Sequence, residues 1–219
     1  MRVLALSPHT DDIELGAGGY ISKLVSRGNT VTVMAFSRSK SESDPANLCF
    51  NPMAELSGSA AQCPQSEWEQ SMKILGVADC QFLNLNPSRL ADSRQEILEH
   101  LILWRTRYGL PDLVLCPAQG DCHQDHETIT NETIRAFKMT SILGYALTWN
   151  AIGWSQGVNF YIPLTEEQLK RKESALVCYG SQRHRKFFAP DVARVIARFR
   201  GEQCGHKFAE GYQVIRWIA

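Results

Sequence analysis

The sequence has no excess of charge of either sign and no long hydrophobic run. Its 219 residues include 23 Lys plus Arg and 23 Asp plus Glu, so the formal net charge is zero. Binding to nucleic acid or to an anionic membrane surface normally needs a positive excess, and we therefore expect neither partner. No stretch approaches the roughly 20 continuous apolar residues that span a bilayer. The apolar run at residues 3–6 is also too short for the core of a signal peptide. The sequence therefore predicts neither a signal peptide nor a transmembrane segment.

Motifs of several common protein classes are missing as well. The seven cysteines include no C-x-x-C pair, and an odd number without a secretory signal indicates reduced thiols in a cytoplasmic protein. Neither the phosphate-binding loop G-x-x-x-x-G-K-[ST] nor the G-x-S-x-G elbow of serine hydrolases is present. The run at residues 16–19 lacks the third glycine of a dinucleotide fingerprint. We interpret it as close packing of a helix against a sheet.

Strand-like and helix-like segments alternate along the first half of the chain. Residues 3–6 and 30–36 are apolar or β-branched runs that are typical of buried strands. Between them, apolar residues recur at helical spacing from Tyr20 to Val25, and Gly28 follows as a stop signal. Such strand–helix–strand units build parallel sheets. The sequence therefore predicts an α/β protein with a Rossmann-like three-layer fold around a central, mostly parallel sheet, in a single domain spanning residues 1–219.

Local signals predict further elements downstream. Ser93 and Thr165 each begin a capping-box pattern, which predicts the start of a helix. Residues 145–148 are strand-like, and the apolar stripe at residues 192–199 predicts a helix that Gly201 closes. These signals extend the α/β pattern to the end of the chain.

Two polar clusters each follow a predicted central strand. Residues 8–12 read P-H-T-D-D after the first strand, and residues 121–126 read D-C-H-Q-D-H shortly after a strand predicted at 112–116. Loops at the carboxyl ends of strands converge in open α/β sheets, so we expect both clusters at one edge of the sheet. Imidazole and carboxylate groups are good zinc ligands. The candidate ligands are His9, Asp12, His123 and His126, and the carboxylates left for proton transfer and orientation are Asp11 and Asp125.

An alternative explains the second cluster without a metal. In it, His123 and His126 are surface residues that cap a helix, because an H-x-x-H spacing also occurs by chance. The matching position of the first cluster after its own strand favours the metal site.

The two motifs together resemble the PIG-L/LmbE-like family of zinc-dependent N-deacetylases. The first is P-H-x-D-D followed by Gly16, Gly18 and Gly19, and the second is H-x-D-H from His123. The resemblance continues in the K-x-S-A-L run from Lys172 to Leu176, so it covers nearly the whole chain. It implies hydrolysis of the N-acetyl group of an amino sugar of the N-acetylglucosamine type, with release of acetate from a small-molecule substrate.

The resemblance also implies a role for each matching residue. The residues that would bind Zn²⁺, or another divalent transition metal, are His9, Asp12 and His126. Asp11 would be the general base that takes a proton from the attacking water. His123 would stabilise the oxyanion or protonate the departing amine, and Asp125 would orient His123.

Contacts to the substrate have weaker signals. Trp149 and Asn150 are candidates to stack on and hydrogen-bond a sugar ring, although an aromatic residue that closes a core layer explains Trp149 equally well. Arg38 is a further candidate. We interpret the basic run at residues 183–186 as a solvated face rather than a phosphate site. Residues 37–65 lack periodicity and are too long for an ordinary connection, so we predict a mobile lid that borders the cleft.

Alternatives to the deacetylase stay open at this point. One is an amidase that acts on another N-acyl substrate, such as a thiol conjugate. Another is a non-catalytic sugar- or nucleotide-binding module with a structural metal. A structural zinc needs four protein ligands and would leave Asp11 without a purpose, which disfavours the module. The sequence also leaves a homo-oligomer open.

Overall fold

The computed structural model describes residues 1–39, 64–151 and 157–218. Its strands are β1 (Arg2–His9), β2 (Thr30–Ser37), β3 (Asp79–Leu85), β4 (Leu113–Pro117), β5 (Ser141–Tyr145), β6 (Phe160–Pro163) and β7 (Ala209–Arg216). Its α-helices are α1 (Asp12–Ser26), α2 (Pro64–Leu75), α3 (Arg94–Tyr108), α4 (Gln124–Ala136), α5 (Glu166–Val177) and α6 (Pro190–Glu202).

The strands form one sheet in the order β3-β2-β1-β4-β5-β7-β6. The pairs from β3 to β5 are parallel, whereas β7 runs antiparallel to both β5 and β6. The predicted α/β fold with a mostly parallel sheet is confirmed.

Strand β1 shows how the sequence places helices on both faces of the sheet. Successive side chains of a strand point to opposite faces. Val3 and Ala5 therefore join a buried cluster with α1, α2 and α5, while Leu4 and Leu6 join a second cluster with α3 and α4. The result is the predicted three-layer arrangement of helix, sheet and helix.

The two predicted capping boxes have different outcomes. Thr165 has an extended backbone, with φ −80° and ψ 163°, and it forms the capping box with Gln168. Ser93 makes no capping hydrogen bond, and a 3-10 helix over Leu90–Ser93 leads directly into α3. The helix start predicted at Ser93 is confirmed, since α3 begins at Arg94. The capping box predicted there is absent, because the Ser93 ψ of 18° departs from the extended backbone of a capping residue.

Two other local predictions need correction. Strand β5 ends at Tyr145, and a 3-10 helix over Thr148–Asn150 replaces the predicted strand end. Gly201 lies inside α6 rather than closing it, and a Cβ there would stand 2.4 Å from the carbonyl oxygen of His206. The prediction for residues 16–19 is confirmed at Gly16, where a Cβ would meet the Tyr145 ring of β5 at 2.3 Å.

The position of the two polar clusters follows from the strand order. β1 and β4 are parallel neighbours, and they lie where the order of successive strands reverses direction. Crevices of open α/β sheets form at this point, outside the carboxyl ends of the strands. β1 ends at His9 and β4 ends at Pro117, so the loops that follow share one edge.

Two further sequence predictions concern membrane spans and the lid. Across the described ranges, no helix combines the length and the apolar character needed to cross a membrane. Residues 40–63 of the predicted lid lie outside the described residues.

Candidate metal and catalytic site

The first cluster spans the turn between β1 and α1. His9 is the last residue of β1, and Asp12 is the first residue of α1. The Asp12 carboxylate accepts a hydrogen bond from the His9 backbone N–H at 2.8 Å, which tightens the turn. Asp11 occupies the N-cap position, yet its side chain makes no capping hydrogen bond. The Asp11 carboxylate is therefore buried at the site without a role in holding the helix.

The second cluster spans the connection into α4. Asp121 accepts a hydrogen bond from the His123 backbone N–H at 2.9 Å. His123 is the N-cap of α4, and its Nδ1 accepts from the Asp125 N–H at 3.1 Å. His126 lies in the first turn and is buried. His123 does cap the helix, as in the alternative reading of the sequence, but His126 is not a surface residue.

Three donor atoms from the two clusters converge on one point. Asp12 Oδ2 lies 3.0 Å from His9 Nδ1 and 3.2 Å from His126 Nε2. His9 Nδ1 and His126 Nε2 are 3.3 Å apart. Zinc bonds of roughly 2.0–2.1 Å in tetrahedral geometry hold ligand atoms about 3.3 Å apart. The donor set and its spacing therefore fit a zinc ion, and the three atoms belong to the three predicted ligands.

Carboxylates hold the far side of each ligand imidazole. His9 Nε2 lies 2.9 Å from Asp125 Oδ2, and His126 Nδ1 lies 2.8 Å from Asp121 Oδ2. Such partners orient a metal-binding histidine and select the nitrogen that faces the metal. The structure thus gives Asp125 a partner other than the predicted one. Its carboxylate contacts His9, and only its backbone N–H contacts His123, because Asp125 points inward from the first turn of α4.

A second group of possible metal-ligand atoms also lies close together. One donor atom each of His9, His123 and Asp125 lie within 4.8 Å of one another. The Asp125 oxygens, however, already accept from Ser88 N at 2.6 Å and Leu90 N at 3.1 Å, in addition to their contact with His9. Because the Asp125 oxygens already accept hydrogen bonds from the backbone and contact His9, the first group is the better candidate metal site.

Burial and charge act in opposite directions on the ligand side chains. Burial would lower the pKa of His9, but Asp12 and Asp125 raise it to about 9. Burial likewise opposes the charge of His126, yet Asp12 and Asp121 raise its pKa to about 10. Burial would raise the pKa of Asp12, but the two imidazoles hold it well below its usual range. Without a metal, both imidazole rings are therefore in the positively charged, doubly protonated form at neutral pH.

The other two predicted catalytic side chains respond differently. Burial and the nearby Asp12 raise the pKa of Asp11 to about 6, although a hydrogen bond with Ser39 opposes the rise. Burial and the two ligand histidines lower the pKa of His123. At neutral pH Asp11 is thus mostly ionised, and His123 is mostly neutral.

A cleft opens above the converging donors. It is lined by His9, Asp11, Asp12, Leu15, Ser39, Ser88, His123, His126, Trp149, Asn150, Arg185 and Phe187. Five of the six residues that the sequence assigned to metal binding or catalysis line this cleft, and Asp125 lies behind His9.

The three residues predicted to contact the substrate differ in their positions relative to the cleft. Trp149 lines the cleft and stacks on Phe187, with ring centroids 4.3 Å apart. Asn150 also lines the cleft, but its side-chain amide donates to Asp121 at 3.2 Å, so it supports the site from the side. Arg38 is not among the described lining residues, and its guanidinium lies over the Phe82 ring at 5.8 Å.

Sequence reasoning missed two features of the site. Asp121 received no role, although its position five residues before His126 within the same polar run was the available signal. The second feature is the basic run at residues 183–186, for which the sequence predicts a solvated face. This holds for the exposed Arg183 and Lys186, but Arg185 is half-buried and lines the cleft, so the interpretation is wrong for that residue.

Comparisons with known proteins agree with this architecture. The model of the PIG-L family, described as GlcNAc-PI de-N-acetylase, matches residues 4–137. A diacetylchitobiose deacetylase of Thermococcus kodakarensis is 24% identical over 241 residues, which cover 99% of this chain and 84% of the relative.

Solved structures share the fold at lower identity. The N,N'-diacetylchitobiose deacetylase from Pyrococcus horikoshii has a TM-score of 0.72 and 22% identity, covering 98% of this chain and 83% of that one. GalB, a 4-carboxy-2-hydroxymuconate hydratase from Pseudomonas putida, has a TM-score of 0.75 and 17% identity, covering 100% and 97%. Because one fold carries both of these proteins, the reaction has to be argued from the site.

Proposed function

The chain belongs to the GlcNAc-PI de-N-acetylase (PIG-L) family, and from that premise we propose that it is a zinc-dependent N-deacetylase. It hydrolyses the N-acetyl group of an N-acetylated amino sugar and releases acetate and a free amine. The name of the Thermococcus kodakarensis relative supports this substrate class, since diacetylchitobiose is itself such a sugar. The matched residues 4–137 include both polar clusters.

The convergence of three donor atoms beside a carboxylate carries this proposal. His9 Nδ1, Asp12 Oδ2 and His126 Nε2 would hold the zinc ion, and three protein ligands leave a position open for chemistry. When bound there, zinc would polarise the acetyl carbonyl and make water acidic enough to attack near neutral pH. A structural zinc site would close the fourth position with protein, and none of the described residues does so.

Asp11 is the general base in this mechanism. Its carboxylate is buried beside Asp12, is free of a capping role, and is mostly ionised at neutral pH. Asp11 takes a proton from the attacking water as the new C–O bond forms. The same proton then passes to the nitrogen as the C–N bond breaks, so that the amine leaves neutral.

His123 stabilises the oxyanion. Its Nδ1 accepts a hydrogen bond from Asp125 N–H, so the neutral ring carries its hydrogen on Nε2. A neutral imidazole with a hydrogen on Nε2 can donate to the developing oxyanion. The lowered pKa of His123 favours this role over the donation of a proton to the amine.

Acetate release is the direct test of the function. Zinc-loaded protein should release acetate from at least one of diacetylchitobiose, N-acetylglucosamine and a nucleotide-linked N-acetylglucosamine, and chelation of the metal should stop the release. Acetate from a thiol-conjugated N-acyl compound alone would favour the amidase. No acetate from any of these compounds would contradict the proposal.

We also propose that residues 1–219 form a single domain, because all the described strands pair in one sheet. Limited proteolysis checks this, since a single domain should not yield two stable fragments.

A further inference from the structure

A pair of buried hydroxyl groups lies beside Asp11, the proposed general base. Thr10 Oγ1 and Ser39 Oγ are 3.2 Å apart, and both residues are buried. The Ser39 backbone N–H also donates to Thr10 Oγ1 at 3.2 Å. The Ser39 side chain in turn hydrogen-bonds to the Asp11 carboxylate. Buried hydroxyl groups need hydrogen-bond partners, and here the partners lead from Thr10 through Ser39 to the base.

The register of the sheet brings these residues together. β1 and β2 are parallel neighbours, and His9 pairs with Ser37. Ser37 Oγ donates to the Pro8 carbonyl at 2.8 Å, which holds the two strand ends together. Ser39 and Asp11 each lie two residues beyond this pair, so they reach the same level of the site, and both line the cleft.

The backbone of Thr10 is anchored from another side. The Tyr179 hydroxyl donates to the Thr10 carbonyl and also contacts the Glu14 carboxyl group. Ser71 Oγ donates to Glu14 Oε1 at 2.6 Å. These buried contacts tie the turn after β1 to α1, to α2 and to the segment after α5. Because this backbone is held and a β-branched side chain has few rotamers, the Thr10 hydroxyl has a defined position next to Ser39.

Hydrogen counting gives the direction of the hydrogen bonds. A carboxylate that acts as a base is ionised and only accepts hydrogen bonds, so the Ser39 hydroxyl donates to Asp11. Ser39 Oγ is then the acceptor for the Thr10 hydroxyl, while Thr10 Oγ1 accepts from the Ser39 N–H. The result is a directed chain of hydrogen bonds from Thr10 through Ser39 to Asp11. In such a chain each hydrogen bond polarises the next.

We propose that Thr10 and Ser39 are positioning residues for the general base. The Ser39 hydroxyl holds the Asp11 carboxylate in the orientation that faces the attacking water, and the Thr10 hydroxyl holds Ser39. This inference rests on the proposed deacetylase function. Asp11 needs such a partner because its side chain makes no capping hydrogen bond that would fix its rotamer. The orientation matters because a small misplacement of a reacting group lowers the rate.

Steady-state kinetics of the zinc-loaded protein, with a sugar from which the wild type releases acetate, test this role. Ser39→Ala should lower kcat roughly 10- to 100-fold, the loss expected for a hydrogen bond to a charged group, with KM within about threefold. Thr10→Val keeps the shape of the side chain without its hydroxyl. It should lower kcat roughly two- to tenfold, because Ser39 still contacts Asp11. Thr10→Ser restores the hydroxyl and should recover this loss.

Ser37→Ala is the matched control, because Ser37 is also buried at the end of β2 but its hydroxyl binds the Pro8 carbonyl. It should keep kcat within about threefold. In an Asp11→Asn background, Ser39→Ala should change the residual kcat by less than about twofold, since no base remains to be positioned. Unchanged kcat in Ser39→Ala would overturn the proposal. An equal loss in Ser37→Ala, or an undiminished effect of Ser39→Ala in the Asp11→Asn background, would overturn it too.

Urea unfolding of the metal-free protein tests the hydrogen-bonded pair without catalysis. The effects of Thr10→Val and Ser39→Ala on the unfolding equilibrium constant should be non-additive by at least about threefold, because the two hydroxyls share a hydrogen bond. Acetate release by the wild type together with additive effects would contradict this inference alone. No acetate from the wild type would contradict the proposed function, and with it the role of the pair, even where the effects are non-additive.

Discussion

Two buried polar clusters in this molecule look alike by burial and charge but differ in how their groups are paired. The closed cluster consists of Lys172, Glu210 and Tyr212 with the backbone of Gly19 and Tyr20. Lys172 Nζ donates to Glu210 Oε1 at 2.6 Å, and Tyr212 OH donates to Oε2 at 2.9 Å. The backbone N–H groups of Gly19 and Tyr20 complete the set at 2.9 and 2.7 Å. Each of these four donor groups contacts a Glu210 carboxylate oxygen, so the cluster ties α1, α5 and β7 together.

The proposed metal site lacks this complementarity. Its three central atoms, His9 Nδ1, Asp12 Oδ2 and His126 Nε2, can all donate electron pairs to the same point. The closed cluster is nearly inaccessible, with Lys172 and Glu210 each 4% exposed, whereas the metal site opens into a cleft. Burial and charge alone therefore do not identify a functional site here. Converging acceptors beside an opening do so, since such an arrangement is stable only when a cation or protons occupy it.

Loss of a zinc ligand should reduce zinc binding and turnover at the proposed metal site more than any other change. His126→Ala removes one of three proposed zinc ligands, so we expect bound zinc to fall well below one equivalent and turnover to fall with it. Zinc content by atomic absorption and acetate release on the same sample check this. A full equivalent of zinc in His126→Ala would contradict the ligand assignment.

Asp121→Asn is the graded control for that variant. It keeps the shape of the partner of His126 but removes its charge, so zinc affinity should fall by roughly 10–100-fold, less than in His126→Ala. A loss as large as that of His126→Ala would mean that Asp121 is itself a ligand.

Loss of the base should separate chemistry from metal binding. Asp11→Asn preserves the size of the side chain and removes its proton acceptor, so turnover should fall by roughly 10²–10⁴-fold while zinc stays bound. Single-turnover acetate release and zinc content report the two effects independently. Zinc lost in step with activity would make Asp11 a ligand, and unchanged turnover would remove it from the mechanism.

The closed cluster should respond in stability rather than in chemistry. Lys172→Met leaves the Glu210 carboxylate buried without its cation, which should lower the free energy of unfolding by roughly 3–5 kcal/mol. Lys170→Met on the same helix is the control, because Lys170 is exposed and its loss should cost little. Urea unfolding of both variants measures the difference, and zinc affinity should be unchanged in each. Equal stability of the two variants would show that the cluster does not tie the helices together.

Proton release on zinc binding is a further test of how the proposed metal site differs from the closed cluster. The pKa values of His9 and His126 are raised to about 9 and about 10 in the metal-free site, so both rings must lose protons when zinc binds. Zinc affinity should therefore rise as the pH increases from about 6 to about 8, with about two protons released per ion near pH 7. Calorimetry in buffers of different ionisation enthalpy counts these protons. Binding that is independent of pH over this range would contradict the assignment of protons to the rings.

Much of the fold and the site was predictable because the signals are local. The alternation in β1, the glycines of α1 and the capping box at Thr165 each depend on a few neighbouring residues. The meeting of the two clusters also follows from strand ends, since parallel strands bring their carboxyl ends to one edge. For the same reason, the sequence predicts that His9 and His126 are candidate ligands at one site, although 117 positions separate them.

The remaining features depend on contacts between distant segments. The partner of Asp125 is His9 rather than its neighbour His123, and only the docking of α4 beside β1 decides this. Arg185 reaches the cleft because Ser181 is anchored to Glu67, a residue 114 positions earlier in the chain. Ser93 fails as a cap because the preceding 3-10 turn changes its backbone, which the four-residue pattern does not encode.

The most direct test of the metal site is a crystal structure of the zinc-loaded protein with anomalous data at the zinc edge. We expect one zinc ion within roughly 2.0–2.2 Å of His9 Nδ1, Asp12 Oδ2 and His126 Nε2, with its open position facing Asp11 and the cleft. A zinc ion bound instead between His9, His123 and Asp125, or closed off by a fourth protein ligand, would contradict the proposed site and its mechanism.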